Sequence, residues 1–187
     1  MMKSRFLSLV LFVVFATATV FAQEAKEAPK KHGLVGTATC GMCHKSDKQG
    51  KQLDIWKGSK HAKAYETLLS DVSNEIVKKK GFTVPAIKVP ECLKCHVIGN
   101  TEEAALLGPK FKVEDGVQCE TCHGAGADYK DAKIMRNRDE AIKNGLIIHT
   151  EQEKFCVTCH NSESPTFKEF KYEEMWAKIK HDKPKEK

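Results

Sequence analysis

The chain has 187 residues, of which 31 are basic and 25 acidic, and this length favours one domain with tails over a large multidomain enzyme. Hydrophobic residues make up 41% of the chain but aromatic residues only 7%, a small supply of large apolar side chains for a core. Beyond the first 22 positions no apolar run reaches about 18 residues, which excludes a protein with several membrane spans.

The first 22 residues have the pattern of a secretory signal peptide. Lys3 and Arg5 precede an apolar stretch from Phe6 to Ala16, and small residues precede Gln23. The pattern predicts export to the periplasm and cleavage before Gln23. The alternative is an uncleaved anchor helix, which the short and interrupted apolar stretch disfavours. Because basic and acidic residues are interspersed in an exported chain, we expect no nucleic-acid partner.

The rest of the chain predicts short helices joined by loops. A flexible leader is predicted over residues 23–33, one or two helices over 45–80 that end at Gly81, and an extended piece over 82–89. Further predictions are a short helix at 101–107, an extended segment at 111–117, a polar helix at 128–144, an amphipathic helix at 172–180 and a frayed tail at 183–187. The predicted fold class is mainly α with long irregular loops, in one domain over residues 34–182.

All eight cysteines lie in four segments of the form C-x-x-C-H, which we call motifs 1 to 4. Motif 1 is Cys40–His44, motif 2 is Cys92–His96, motif 3 is Cys119–His123 and motif 4 is Cys156–His160. C-x-x-C-H is the attachment signature of c-type haem. The predicted thioether residues are Cys40, Cys43, Cys92, Cys95, Cys119, Cys122, Cys156 and Cys159, and the predicted proximal iron ligands are His44, His96, His123 and His160.

The spacing of the motif has a chemical reason. Two cysteines separated by two residues lie about one helical turn apart, so both sulfurs can reach the vinyl groups of one porphyrin. The histidine that follows can then supply an axial nitrogen to the iron. Four haem c groups with their iron would also provide the apolar core that the side chains do not. We therefore expect a multihaem cytochrome c fold organised around four covalently bound haems.

Two other readings of paired cysteines explain the sequence less well. Structural zinc sites also use C-x-x-C pairs, but they do not require histidine after every pair, and an exported chain favours disulfides over free thiolates. Disulfides alone would leave the four histidines unexplained. Both alternatives are weaker than haem attachment.

Four further histidines, as many as the predicted haems, are candidate distal ligands: His32, His61, His149 and His181. If all four bind iron, every haem is closed to substrates; if one does not, an iron is open to small molecules. His61 precedes Ala64, Leu68 and Leu69, which are predicted to share a helical face. His181 follows the amphipathic helix, whereas the roles of His32 and His149 are open. Methionine ligation by Met42, Met135 or Met175 is the other option.

Residues outside the motifs carry a family resemblance. They are Trp56 and the run His61–Ala64, Val97 and Gly99 after motif 2, residues 116–126 around motif 3, and residues 170–181. With these residues the chain resembles the tetrahaem cytochrome c-554 family of bacterial periplasmic electron carriers. The resemblance implies that His61 and His181 are distal ligands to haems other than their sequence neighbours. It also implies closely stacked haems in parallel and perpendicular pairs, with a five-coordinate haem on motif 2.

The chain departs from the family at one ligand position. The family pattern places a distal histidine a few residues after motif 3, where this chain has residues 127–130 without histidine. His32 is a candidate replacement. His149 lies near a histidine that the family also has, but at a different distance from motif 4, so no ligand role is carried over. If one iron is open, it is expected to be the one on His96.

Two functions remain in play. The first is an electron carrier between periplasmic or membrane-bound redox proteins, with potentials set by axial ligands and burial. By resemblance, it would work beside the oxidation of hydroxylamine or related nitrogen compounds. The second is a small reductase of nitric oxide, nitrite or hydroxylamine at an open haem, and the sequence shows no isolated group of proton donors for it. The oligomeric state is open.

Overall fold

The computed structural model describes residues 30–182, which are helical and contain no strands. The α-helices in this range are α1 Thr37–Gly41, α2 Gln52–Lys57, α3 Ala64–Leu68, α4 Asp71–Lys79, α5 Pro90–His96, α6 Cys119–His123, α7 Ala132–Met135, α8 Arg138–Lys143, α9 Gln152–Cys156 and α10 Tyr172–Ile179. Short 3-10 turns lie at Asp47–Gln49, His61–Lys63, Ala86–Lys88, Ala104–Leu106 and Val113–Asp115. No helix among these is long and apolar enough to cross a membrane. The predicted mainly α fold with long loops is confirmed.

The predicted signal peptide and C-terminal tail lie outside the described residues, as does most of the predicted leader. Residues 31–33 of the predicted leader contact later parts of the chain. Lys31 Nζ lies 2.8 Å from Glu103 Oε1, and Ala127 N–H donates to the Gly33 carbonyl at 3.0 Å. Next along the chain, Leu34 N–H donates to the Leu106 carbonyl, and the Leu34 carbonyl accepts from Gly108 N–H, both at 2.7 Å. The contacts therefore start at Lys31, three residues before the predicted domain start at Leu34.

Several predicted element boundaries were wrong. The region 45–80 is helical but divided into three α-helices and two 3-10 turns; α4 begins at the cap Ser70, whose side chain accepts from Ser73 N–H. The extended pieces at 82–89 and 111–117 contain 3-10 turns instead. Ala86 is held there because its N–H donates to Asn74 Oδ1 at 3.0 Å, a tertiary contact that local pattern does not reveal. The helix at 128–144 is interrupted where Asn137 caps α8.

A small apolar cluster supports motif 2. It consists of Leu68, Val77, Ala86 and Val89, all buried, with Phe82 and Leu93 packed against it. The cluster joins α3, α4 and α5, and Pro90 begins α5 in the first turn, where its missing N–H costs nothing. Leu69, predicted on the same face as Leu68, is 53% exposed because α3 ends at Leu68 and the chain turns towards α4.

Candidate haem-binding sites

Each C-x-x-C-H motif forms one helical turn, as the sequence predicted. His44 N–H donates to the Cys40 carbonyl at 3.1 Å and His160 N–H to the Cys156 carbonyl at 3.0 Å, while motifs 2 and 3 lie within α5 and α6. None of the eight cysteines forms a disulfide. Within residues 30–182 no three His, Cys, Asp or Glu side chains converge as a metal cage would require.

Motifs 1 and 3 lie side by side. A hydrogen bond between the Cys40 and Cys119 thiols raises the pKa of Cys40 and lowers that of Cys119. Next to them, the backbone N–H and hydroxyl of Thr37 both donate to Gln118 Oε1, at 3.3 and 3.2 Å. Groups attached to these two motifs would therefore be neighbours.

A buried carboxylate inside motif 3 holds this arrangement together. Glu120 is 2% exposed, and its Oε1 accepts from Val35 N–H at 2.8 Å and Gly126 N–H at 2.7 Å. Its Oε2 accepts from Gly36 N–H at 2.8 Å. Three backbone donors on one carboxylate are charge-assisted hydrogen bonds, which are stronger than neutral ones. Glu120 thereby fixes both the segment before motif 1 and the loop after motif 3.

Motif 4 lies close to both motif 2 and motif 3. Burial, and then a hydrogen bond with Cys159, raises the pKa of Cys95 in motif 2 to about 11. Lys94 of motif 2 also forms an ion pair with Glu163, just after motif 4. Burial raises the pKa of Cys122 in motif 3 to about 11, with smaller contributions from Cys156 and Cys159 of motif 4. Motif 3 therefore lies close to motif 1, and motif 4 lies close to motifs 2 and 3.

Two proximal histidines are each faced by a second histidine. The ring centroids of His61 and His160 are 6.0 Å apart with planes tilted by 52°, and those of His123 and His181 are 5.9 Å apart with a tilt of 55°. A metal–imidazole bond is about 2 Å long, so two imidazoles on opposite sides of one metal have centroids about 6 Å apart. Each pair is thus spaced for a single metal atom between its rings.

Burial also favours the neutral imidazole that binds metals. It lowers the pKa of His61, His123 and His160 below the usual value for histidine. Burial also lowers the pKa of His44, and a hydrogen bond with the Gln52 side chain opposes that shift.

Comparisons with known proteins identify a family for this chain. The family described as Cytochrome c554 and c-prime matches residues 39–124, which contain motifs 1 to 3. Cytochrome c-554 of Nitrosomonas europaea is 32% identical over 142 residues, which covers 67% of this chain and 56% of that relative. The chain belongs to the cytochrome c554 family. It spans little more than half the length of this curated relative, and no solved structure matches it significantly.

Membership in the cytochrome c554 family implies covalently bound haem c with its iron, and the residues fit such a group. Among the described residues the buried apolar side chains are few: Leu34, Val35, Leu68, Val77, Ala86, Val89, Val97, Tyr129 and Ala141. Large apolar side chains are instead exposed inside the motifs, as for Met42 at 57% and Val157 at 40%, and beside motif 3 at Ile147 and Ile148. A flat apolar macrocycle is the kind of group that would cover them.

The proximal histidine of motif 2 is oriented by the backbone. His96 Nδ1–H donates to the Ala64 carbonyl at 2.7 Å. This bond sets the tautomer in which Nε2 is free to bind iron, the usual arrangement for a ligating histidine. No histidine ring faces His96 or His44 within the part of the chain that the structure describes.

The distal candidate His61 is positioned by the segment before motif 3. His61 begins a 3-10 turn, and its carbonyl accepts from Val117 N–H at 3.1 Å. Trp56 Nε1–H donates to the Val117 carbonyl at 2.7 Å, so Trp56 and His61 both bind Val117. Gly116 allows the close approach: it has φ +70°, and a Cβ there would lie 2.9 Å from the His61 carbonyl oxygen.

Gly116→Ala is therefore expected to displace His61. We expect about 1–3 kcal/mol of backbone strain, a further loss from the collision, and partial conversion of one haem from low to high spin. Gly81→Ala is the matched control, because Gly81 has φ +89° but a Cβ there meets nothing within 4 Å. Denaturant unfolding and electron paramagnetic resonance of both variants test this. Equal stability losses and unchanged spin states in the two variants would contradict it.

The other two candidates are held by hydrogen bonds to protein groups. His149 Nε2–H donates to the Cys122 carbonyl at 2.8 Å, and its ring stacks on Phe155 with centroids 4.0 Å apart. His32 Nδ1 lies 2.6 Å from Asp128 Oδ2. Neither His32 nor His149 faces a proximal histidine ring within residues 30–182. Ring pairing thus distinguishes His61 and His181 from His32 and His149.

Sequence reasoning missed the polar residues that organise the motifs: Gln52, Gln118, Glu120 and Asp128. The partners that join separate segments are far along the chain, as for Gln118 with Thr37 and Glu120 with Val35, so no local pattern marks these contacts. The one available signal was Glu120, a carboxylate within a motif whose surroundings are expected to be apolar.

Proposed function

We propose that this chain is an exported tetrahaem c-type cytochrome that carries single electrons between periplasmic or membrane-bound redox proteins. Motifs 1 to 4 would each hold one haem c through their two cysteines, with His44, His96, His123 and His160 as proximal ligands. His61 and His181 would be the sixth ligands of the irons at His160 and His123. The predicted signal peptide, and resemblance to a periplasmic family, support the location.

The facing histidine pairs are the observation that carries this proposal. An iron with imidazole on both sides has no vacant position for a substrate and is suited to electron transfer. The centroid spacings of 5.9 and 6.0 Å match that ligation. The haems would supply one-electron redox chemistry, while the chain's residues attach them, fix their axial nitrogens and exclude water.

The closeness of the motifs to one another supports a continuous electron path. Motif 1 adjoins motif 3 through Cys40 and Cys119, and motif 4 is close to motif 3 and adjoins motif 2 through Cys159 and Cys95. No motif is isolated from the others.

A second candidate function is reduction of a small nitrogen oxide at the iron of His96. The observation that favours it is a cleft of about 600 Å³ beside motif 2, lined in part by the ionisable residues Glu91, Lys94 and Glu102. An open iron there would need such proton donors.

Potentiometry and electron paramagnetic resonance distinguish the two functions. For a carrier we expect uptake of four electrons per chain, and no turnover when nitric oxide, nitrite or hydroxylamine is added to the reduced protein. A high-spin signal that disappears with nitric oxide, accompanied by multiple turnovers, would favour the reductase. Uptake of fewer than four electrons would contradict the tetrahaem proposal itself.

A further inference from the structure

A ligating histidine needs an outside contact to fix the plane of its ring. The torsion between Cβ and an imidazole ring is intrinsically broad, so the backbone of a motif does not set that plane by itself. Metal-binding histidines usually meet this need with a hydrogen bond from the second ring nitrogen to a carbonyl or a carboxylate. His96 is an example, since its Nδ1–H donates to the Ala64 carbonyl at 2.7 Å.

Two further proximal histidines also have hydrogen bonds to their rings. Burial lowers the pKa of His123, and a hydrogen bond with the backbone of Ile147 opposes that shift. Burial likewise lowers the pKa of His44, and a hydrogen bond with the Gln52 side chain opposes it. Three of the four proximal rings are thus tied to the chain by a hydrogen bond.

The fourth proximal ring, that of His160, is held by an aromatic side chain instead. Within residues 30–182 no hydrogen bond reaches this ring, and burial is the cause that lowers its pKa. Its ring stacks on that of Phe170, with centroids 4.8 Å apart and planes within 17° of each other. This separation lies in the range of about 4.5–7 Å that aromatic pairs prefer. Phe170 therefore occupies the role that hydrogen bonds have at the other three motifs.

A short loop brings Phe170 back to His160, ten positions earlier in the chain. Ser164 N–H donates to the Asn161 carbonyl at 3.2 Å, and Phe167 N–H donates to the Ser164 carbonyl at 3.0 Å. Phe170 is half-buried and lies two residues before α10. Phe167, in the same loop, is 39% exposed and stacks on no ring in the part of the chain that the structure describes. The contact with His160 is thus specific to Phe170.

We propose that Phe170 is a positioning residue that fixes the imidazole plane of His160 at the iron this histidine shares with His61. The inference rests on the proposed tetrahaem function and adds the residue that orients one of its axial ligands. The ring planes of His61 and His160 are tilted by 52°. The angle between two axial imidazoles sets the splitting of the ferric d orbitals, and stacking would keep this angle constant while the iron changes oxidation state. A constant ligand geometry suits an electron carrier, because little has to rearrange with each electron.

Phe170→Leu in the intact holoprotein tests this role. Leucine keeps an apolar side chain but has no flat face to hold the ring. We expect the low-spin resonance signal that is lost in His61→Ala to shift and broaden in Phe170→Leu. Its integrated intensity should not change, because His160 still binds the iron. Phe170→Tyr keeps the ring and should have the wild-type signal.

Phe167→Leu is the matched control, because it makes the same substitution at an exposed ring of the same loop. Its spectrum should be that of the wild type. A merely structural role of Phe170 would instead disturb α10, and with it the iron between His123 and His181. An unchanged Phe170→Leu spectrum, a change confined to the signal that His181→Ala removes, or an equal change in Phe167→Leu would overturn the inference.

Nuclear magnetic resonance of wild-type holoprotein with labelled phenylalanine rings decides the question if Phe170→Leu does not mature. The ring resonance that is absent from Phe170→Tyr should be strongly shifted by the paramagnetic iron. An unshifted resonance would overturn the inference. Four haems in these proteins would still support the proposed function, whereas fewer than four in the wild type would refute that function.

Discussion

Replacing His61 by alanine should convert one of four haems from low spin to high spin without loss of any haem. The His61 ring faces His160 at 6.0 Å, and alanine cannot replace its nitrogen. The thioether bonds of Cys156 and Cys159 do not depend on the sixth ligand, so attachment should survive. Electron paramagnetic resonance and the visible spectrum measure the change, and added imidazole should reverse it.

Lys60→Ala is the control for the His61 variant, because Lys60 is the exposed neighbour of His61 at the start of the same turn. Its spectrum should be that of the wild type. A His61 variant with all of its low-spin signals intact would show that His61 is not a ligand and would remove one of the two pairs on which the function rests.

Removing the Glu120 carboxylate should have the largest effect on stability. Its three hydrogen bonds from backbone N–H groups to a charged acceptor contribute about 1.5–3 kcal/mol each. Glu120→Ala would therefore cost on the order of 5 kcal/mol, a large share of the stability of a small domain. Glu120→Gln keeps the size but presents an amide N–H to a backbone donor, so we expect a loss of about 2–4 kcal/mol.

Denaturant unfolding of the mature holoprotein measures the effect of the Glu120 substitutions. Glu114→Gln is the matched control, since Glu114 is an exposed carboxylate in the segment just before motif 3. It should change the free energy of unfolding by less than about 0.5 kcal/mol. A Glu120→Gln protein as stable as this control would show that the carboxylate does not hold motifs 1 and 3 together.

Local chemistry explains which features could be predicted from the sequence. Haem attachment requires a fixed spacing of two cysteines and a histidine, and the helical turns of the four motifs agree with that spacing. Helix α10 was also predicted, because its apolar residues recur at the helical period. Its end places His181 close to His123, 58 positions earlier in the chain.

The pairing of histidines could not be predicted, because it depends on contacts between distant segments. His61 reaches His160 through the contacts of Gly116 and Val117 with its own backbone. The predicted extended segment at 111–117 was wrong for the same reason: this segment folds into a 3-10 turn and positions His61. Asp128 was recognised only as a place where histidine is missing, and its contact with His32 became visible in the structure.

The mass of the purified, exported protein after denaturation tests the central claim most directly. Thioether-bound haem survives denaturation, so the account predicts the mature chain plus four haem groups. Replacing both cysteines of any one motif by serine should reduce that number to three. A wild-type mass with fewer than four added haems, or with none, would contradict the account.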